Sequence, residues 1–91
     1  MVMPLTKTFS ALADPNRQII IDLLKQGEQS ASAIGRQLDI TPPTLSHHLD
    51  VLKRADLISG RRQGQQIFYS LNFSAVQDIS EKIVKFLKIK K

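Results

Sequence analysis

Polar side chains that can donate or accept hydrogen bonds lie close together in the run Thr41-Pro42-Pro43-Thr44-Leu45-Ser46-His47-His48. Hydroxyl and imidazole groups can form hydrogen bonds with phosphate oxygens or with base edges. Thr41 can cap a helix here, and Pro42 and Pro43 fit its first turn, where the missing amide donors would have no partner in any case. The run therefore predicts a helix with a polar leading edge, which we call the recognition helix.

The recognition helix needs an apolar face that holds it against a core. Three leucines at positions i, i+4 and i+7 supply that face: Leu45, Leu49 and Leu52. Thr44 and His47 fall outside this face, and the helix is expected to run to about Ala55. Asp56 stands where the helix must end, and aspartate tolerates the left-handed conformation better than most side chains.

Three short amphipathic helices are expected before it, over residues 5–13, over 17–26, and from Ser30 or Ser32 to about Leu38. Asp14 and Pro15 suit the cap and first position of the second helix, and Gly27 suits its end. Asp39-Ile40 forms the turn before Thr41. A short helix, a tight turn and a helix with a polar edge are the arrangement of a helix-turn-helix DNA reader.

A β-hairpin is expected directly after the recognition helix. Leu57–Arg61 predicts one strand, residues 62–65 a turn containing a glycine, and Gln66–Leu71 a second strand with alternating apolar residues. Asn72 or Ser74 can cap a last helix, which has more apolar surface than docking on a small domain needs. The expected fold is mainly α, an α+β winged helix with about five helices and a two-stranded β-hairpin wing, in one domain over residues 1–91.

The charge distribution points to a polyanionic partner. The chain has 13 Lys and Arg against 8 Asp and Glu, a net charge of +5. Residues 1–40 are balanced, four basic against four acidic, whereas residues 41–72 carry four against two and residues 73–91 five against two. The excess therefore lies in the candidate DNA-reading region and in the tail. Many small soluble proteins are also basic, so solubility is the competing explanation.

Composition excludes several other classes of protein. The chain has no cysteine, which removes disulfides and thiolate metal sites. No apolar run approaches the roughly 18 residues of a membrane span, and the first residues lack a signal peptide's apolar core. We therefore expect a cytoplasmic protein without a membrane partner. Scattered acids and the lack of a Gly-rich phosphate loop predict no catalytic site, no enzyme activity and no cofactor.

The two histidines do not form a helical metal site. His47 and His48 are adjacent, so on a helix they point about 100° apart, whereas helical zinc sites use His at i and i+4. No further His or Cys exists to complete a ligand set. We expect His47, on the side of Thr44, to contact the DNA groove, and His48 to pack near a helix seam or bond to backbone. Arg17 is expected to pair with an acid or to cap a helix.

The order of these motifs resembles the ArsR/SmtB family of dimeric winged-helix repressors. The run Ala11-Leu12-Ala13-Asp14-Pro15-Asn16-Arg17 is similar to the family's opening motif, residues 45–52 to its recognition-helix signature, and residues 62–64 with 68–71 to its wing. The compact, metal-free form is similar to the SdpR-like autorepressors within the family. The resemblance implies that a homodimer forms through the first and last helices, and that a wing arginine reaches the minor groove or its phosphates.

The chain departs from the family's metal sensors. Ser30-Ala31-Ser32 stands where those sensors carry Cys-x-Cys, and the last helix offers Asp78 and Glu81 but no His. Metal sensing is therefore not expected. Asp56 replaces a usual glycine, and Gln65 stands at the wing tip where a basic residue is common, which predicts a weaker phosphate contact there.

These observations together predict a sequence-specific transcriptional repressor that binds a palindromic operator in double-stranded DNA, with its own promoter as one candidate. The expected DNA contacts are Thr41, Pro43, Thr44, Ser46, His47, Arg61 and Arg62. The expected dimer interface comprises Leu5, Phe9, Val76, Ile79, Ile83, Phe86 and Leu87. The alternative is a winged-helix protein-interaction module, or a regulator controlled by a protein anti-repressor, with DNA binding secondary or lost. A protein or small-molecule effector remains open.

Overall fold

The described part of the chain forms four helices and a three-stranded antiparallel sheet. A computed structural model describes residues 5–75 and 77, without the side chains of Leu5 and Thr6. The elements are α1 (Leu5–Leu12), α2 (Pro15–Leu24), β1 (Gln29–Ser30), α3 (Ala31–Gly35), α4 (Pro42–Arg54), β2 (Ile58–Gln63) and β3 (Gln66–Leu71). Residues 73–75 are again helical. Most of the predicted last helix lies outside the described residues.

Side-chain caps start three of these helices, as the sequence predicted. Asp14 accepts hydrogen bonds from the backbone amides of Asn16 and Arg17 at 2.8 and 3.2 Å and so begins α2. Ser30 caps α3, and Thr41 caps α4 ahead of the two prolines in its first turn. Each cap satisfies amide donors that have no partner inside the helix.

The helix ends are also explained by local chemistry. Asp56 has a φ of 60°, which confirms the predicted left-handed residue after α4. Gly27, after α2, has a φ of 133°, a conformation that side chains rarely allow. α3 is shorter than predicted, ending at Gly35 rather than at about Leu38.

The sheet corrects two predictions. Its strand order is β1-β3-β2, so the expected two-stranded hairpin has a third strand, in which Gln29 lies opposite Tyr69. A strand of two residues, of which the second is also the cap of α3, carries no periodic signal, so the sequence could not reveal β1. The turn predicted over residues 62–65 is also too long, because Arg62 still pairs with Ile67. Only two residues connect the strands, and the first, Gly64, has the positive φ that short hairpin turns require.

One apolar core joins the helices to the sheet. The predicted leucine face of α4 is buried, with Leu45, Leu49 and Leu52 exposed by 9%, 3% and 0%. Its partners include Ile20, Leu24, Ile34, Leu57, Ile58, Tyr69 and Leu71. Burial of this face fixes which side of α4 points outward. Within the described residues, no helix combines the length and apolar character needed to cross a bilayer.

Candidate nucleic-acid interface

The N-terminal half of α4 presents a continuous polar surface. Thr44, Ser46 and His47 are exposed, whereas Leu45 is buried beneath them. Thr41 and Pro43 are also exposed at the start of the helix. The helix period brings these side chains to one side because the leucine face occupies the other. All five recognition-helix contacts predicted from the sequence are therefore accessible to solvent.

Two threonines form a hydroxyl pair at the start of α4. The backbone amide of Thr44 donates to Oγ1 of Thr41 at 3.3 Å, and the two hydroxyl oxygens lie 2.8 Å apart. The pair has two hydroxyl hydrogens and uses one of them internally. The other hydrogen can be donated outward. A phosphate oxygen near the helix N-terminus is a suitable acceptor, and the helix dipole also favours an anion there.

The two adjacent histidines have different environments. His47 is exposed, whereas His48 is only 6% exposed. Nδ1 of His48 lies 3.0 Å from Nη1 of Arg17. A guanidinium can only donate, so Nδ1 accepts and the neutral ring carries its hydrogen on Nε2. Nε2 in turn lies 3.8 Å from Oδ1 of Asp14. The prediction that His48 packs at a helix seam is confirmed.

Arg17 caps α1 from the beginning of α2. Its Nε donates to the carbonyl of Ala11 at 2.7 Å, and its Nη2 donates to the carbonyl of Ser10 at 3.2 Å. These carbonyls belong to the last turn of α1, where acceptors have no partner within the helix. The structure thus confirms the predicted capping role of Arg17.

The carboxylate of Asp14 remains ionised beside this arginine. Burial raises the pKa of Asp14, but hydrogen bonds from the backbone amides of Arg17 and Asn16 and the positive charge of Arg17 lower it by more, so that the net pKa falls below its ordinary value. The α1–α2 junction therefore places one cation and one anion on either side of the His48 ring.

A shallow groove lies between α3 and the start of α4. It has a volume of about 400 Å³ and is lined by Ala31, Ser32, Gly35, Arg36, Ile40, Pro42, Leu45 and Ser46. Arg36 is an exposed cation in this lining. Sequence reasoning missed it, because only the second helix of the motif was searched for contacts. A basic residue at the end of the first helix was the available signal, since that helix crosses the DNA backbone in helix-turn-helix proteins.

Arg61, in the wing, is held by other residues of the protein. Its guanidinium binds Glu28 through two hydrogen bonds, from Nε to Oε2 at 3.2 Å and from Nη2 to Oε1 at 2.7 Å. Nη1 donates to Gln63 at 2.8 Å, and the guanidinium carbon lies 5.2 Å from the centre of the Phe68 ring. Arg61 hydrogen bonding lowers the pKa of Glu28, partly opposed by burial. The pair is charged at neutral pH.

Arg62 is the next residue on the same strand and is also exposed. Because successive side chains of a strand point to opposite faces, Arg62 cannot share the partners of Arg61. Within the described residues, no hydrogen bond or ion pair engages its guanidinium. Of the two wing contacts predicted from the sequence, Arg62 is therefore the cation available to an outside anion.

Comparison with known proteins identifies the architecture. The family described as "Helix-turn-helix domain" matches residues 12–61. A crystal structure of an ArsR family transcriptional regulator has the same fold, with a TM-score of 0.87 over 93% of both chains at 21% identity. The transcriptional repressor SdpR of Bacillus subtilis (strain 168) is 42% identical over 83 residues, which are 91% of this chain and 92% of that protein. The chain belongs to the ArsR/SmtB family.

The winged-helix architecture extends to other members of the ArsR/SmtB family. NolR from Sinorhizobium fredii has a TM-score of 0.74 at 28% identity, with 94% of each chain covered. The resemblance noted in the sequence motifs is therefore confirmed. Because these relatives are transcriptional regulators, the prediction that the chain is not an enzyme is confirmed by family membership.

The predicted dimer interface of this ArsR/SmtB protein is only partly described. Phe9 on α1 is 46% exposed, a large exposed apolar side chain. The side chain of Leu5 and the residues Val76, Ile79, Ile83, Phe86 and Leu87 lie outside the described residues. The expected homodimer thus stays a prediction.

Metal-binding groups do not cluster in the described part of the chain. Within residues 5–75 and 77, no group of three or more His, Cys, Asp or Glu side chains could hold a metal ion. Asp78 and Glu81, noted in the sequence, lie outside that range.

Proposed function

We propose that this ArsR/SmtB protein is a sequence-specific, DNA-binding transcriptional repressor of the cytoplasm. One observation carries the proposal: Thr44, Ser46 and His47 are exposed on the side of α4 that the buried leucine face leaves outward. A helix held to its core on one side and polar on the other can enter the major groove. Repression follows when the bound protein blocks RNA polymerase at a promoter, with its own promoter as one candidate.

The exposed residues divide into two kinds of contact. Ser46 and His47 are suited to base edges, because they are exposed in the N-terminal half of α4, the part of a recognition helix that contacts the bases. Thr41, Pro43 and Thr44 stand at the helix start, where the threonine hydroxyls suit phosphate and the proline supplies apolar contact. Phosphate contacts set the position of the helix, and base contacts set the preferred sequence.

Two basic residues would add contacts on the flanks of the helix. Arg36 lies in the groove between α3 and α4 and suits the phosphate backbone. Arg62 suits the flanking duplex through the wing. Arg61 was also expected to contact DNA, and its two hydrogen bonds to Glu28 favour a role in setting the wing's position.

The proposed functional unit is a homodimer on a palindromic operator. Phe9 and the apolar side of the last helix would form the interface. The two-fold symmetry would place half-sites about one helical turn apart, roughly 34–36 Å, or a multiple of that.

A selection from random duplexes tests the proposal. Purified protein should enrich one palindromic sequence, and its affinity for that duplex should fall steeply with salt, by about 0.9 unit of log–log slope for each phosphate neutralised. A scrambled duplex of the same length is the control and should bind more weakly at every salt concentration. Equal affinity for both duplexes, or affinity independent of salt, would contradict the proposal.

Phe9→Asp tests the dimer. A charge in an apolar interface is costly, so this variant should be monomeric by analytical ultracentrifugation and should lose high-affinity operator binding. Ile19→Asp is the matched control, because Ile19 on α2 is exposed to a similar degree, 43% against 46%, and is not part of the proposed interface. A dimeric Phe9→Asp protein would place the interface elsewhere.

A further inference from the structure

The guanidinium of Arg17 joins two helices that are far apart in the chain. Two of its nitrogens donate to the carbonyls of Ser10 and Ala11 in the last turn of α1. The third lies 3.0 Å from Nδ1 of His48, 31 residues further along the chain and in the middle of α4. A single side chain therefore spans from the end of α1 to the recognition helix.

The contact between Arg17 and His48 is largely shielded from water, so water cannot easily replace it. His48 is 6% exposed, and its ring faces Arg17 on one nitrogen and the Asp14 carboxylate, 3.8 Å away, on the other. A buried polar group that loses its partner keeps its desolvation cost. The arrangement is therefore satisfied only when α1 and α4 keep this separation.

The geometry also connects the contact to the exposed face of α4. His48 follows His47 directly and lies one turn beyond Thr44. Any rotation of α4 about its axis that moves the His48 ring therefore also moves the side chains of His47 and Thr44. A displacement of 1 Å along the bond would lengthen 3.0 Å to about 4 Å and break it. Burial of the leucine face sets the side of α4 that points outward, and the bond adds a second fixed point to the rotation of the surface that would meet the bases.

We propose that Arg17 is a positioning residue that couples α1 to the exposed face of α4 through His48. The inference rests on the proposed function, in which α1 contributes to the dimer and α4 enters the DNA. In a dimer, α1 determines where each subunit stands relative to its partner. Through the Arg17–His48 bond of each subunit, the position of α1 then fixes the position of the recognition helix. The two recognition helices must match the spacing of the half-sites.

The competing explanation is that Arg17 only stabilises α1 by capping it. The chain contains a matched control for this alternative. Gln18, the next residue, also caps α1, with its Nε2 donating to the carbonyl of Leu12 at 2.7 Å. Among the described residues, the Gln18 side chain bonds to α1 and not to α4. Gln18→Ala therefore removes a cap of α1 without touching the recognition helix.

The test compares Arg17→Lys with Gln18→Ala in the full chain. Lysine keeps the charge but cannot bind three acceptors in a fork. At a temperature where all proteins are folded by circular dichroism, Arg17→Lys should weaken binding to the selected operator by about tenfold and binding to the scrambled duplex by less than about threefold. Gln18→Ala should leave the ratio of the two affinities unchanged, because it alters only the cap.

A double variant checks that the effect passes through His48. If both residues act through one bond, Arg17→Lys combined with His48→Gln should lower the affinity ratio no further than the more severe single variant, to within about twofold. An unchanged ratio in Arg17→Lys, or strictly additive losses in the double variant, would overturn the inference. Should Arg17→Lys fail to fold, His48→Gln alone carries the comparison with Gln18→Ala.

The failure of the proposed function would be visible separately. In that case the unaltered protein would show no preference for any duplex. The coupling would then be measured by NMR without DNA, through the ring signals of exposed His47. Arg17→Lys should shift those signals and Gln18→Ala should not, and equal spectra for the two variants would overturn the coupling.

Discussion

The recognition helix and the wing each carry a pair of adjacent residues that could bind DNA, and the structure separates the two pairs in different ways. In α4, burial distinguishes the pair, because His47 is exposed and His48 is 6% exposed. In the wing, Arg61 and Arg62 are both exposed, and only Arg61 is bound by Glu28. On the helix, exposure identifies His47 as the candidate DNA contact. In the wing, the ion pair between Arg61 and Glu28 leaves Arg62 as the candidate.

The difference follows from how each element meets the core. α4 packs its leucine face against the protein, so neighbours about 100° apart have unlike surroundings. The outer half of the β2–β3 hairpin has solvent near both faces, since all of β2 beyond Ile58 is exposed. Alternation along the strand sends Arg61 and Arg62 to opposite faces but buries neither. A long-range ion pair then distinguishes the two cations, because Glu28 neutralises only Arg61 among the described residues.

The largest effect that sharpens this comparison is expected for His47→Ala. If the imidazole meets a base edge, the variant should lose about 1–3 kcal/mol of operator binding and retain its affinity for a scrambled duplex. Titration of both duplexes by fluorescence anisotropy measures this difference. Equal losses on the two duplexes would assign His47 to the DNA backbone and remove the distinction between helix and wing.

Arg62→Ala should produce a smaller and less selective effect. A phosphate contact carries no sequence information, so operator and scrambled duplex should weaken alike, and the log–log salt slope should fall by about one unit. Arg61→Ala is the matched control, with the same loss of charge one residue away. Because Glu28 already neutralises Arg61, its slope should change less. Identical slopes for the two variants would show that the ion pair does not distinguish them.

Glu28→Gln is expected to have the smallest effect and would make Arg61 resemble Arg62. Removing the carboxylate charge leaves the Arg61 cation uncompensated, so affinity for any duplex should rise slightly and the salt slope should steepen by less than about one unit. The Arg61→Ala substitution in this background should abolish the gain. A weakened affinity in Glu28→Gln would show instead that wing position matters more than its charge.

The same ion pair predicts that the stability of the fold decreases at acid pH. Hydrogen bonds from Arg61 hold the pKa of Glu28 below its ordinary 4.5, against the opposing effect of burial. A carboxylate with a lowered folded-state pKa stabilises the fold above its ordinary pKa, and that contribution is lost as the pH falls through the lowered value. Salt slopes measured at neutral pH should therefore report the intact pair.

Much of the local structure could be predicted from the sequence. The caps at Asp14 and Thr41 and the left-handed Asp56 follow from side-chain chemistry within a few residues, which acts the same way in any fold. The leucine spacing of α4 predicted its buried face for a similar reason. The family resemblance, confirmed by the comparisons, also came from short contiguous motifs.

Other features had no local signal. β1 has only two residues and exists because β3 offers it a free edge. Arg36 became a candidate contact only when α3 and α4 were seen to border one groove. The wing turn was predicted too long because the pairing of Arg62 with Ile67 depends on the register of the whole hairpin.

The sequence by itself determined which residues are polar and outward on α4, because helix period and capping depend on neighbours three and four positions away. Only the tertiary structure decided that Glu28 engages Arg61 and that Arg17 reaches His48, which are 33 and 31 residues apart. Pairs so distant in the chain meet only after the core has packed, so no local pattern records them. Those two contacts separate the residues that we propose to bind DNA from the residues that hold them in place.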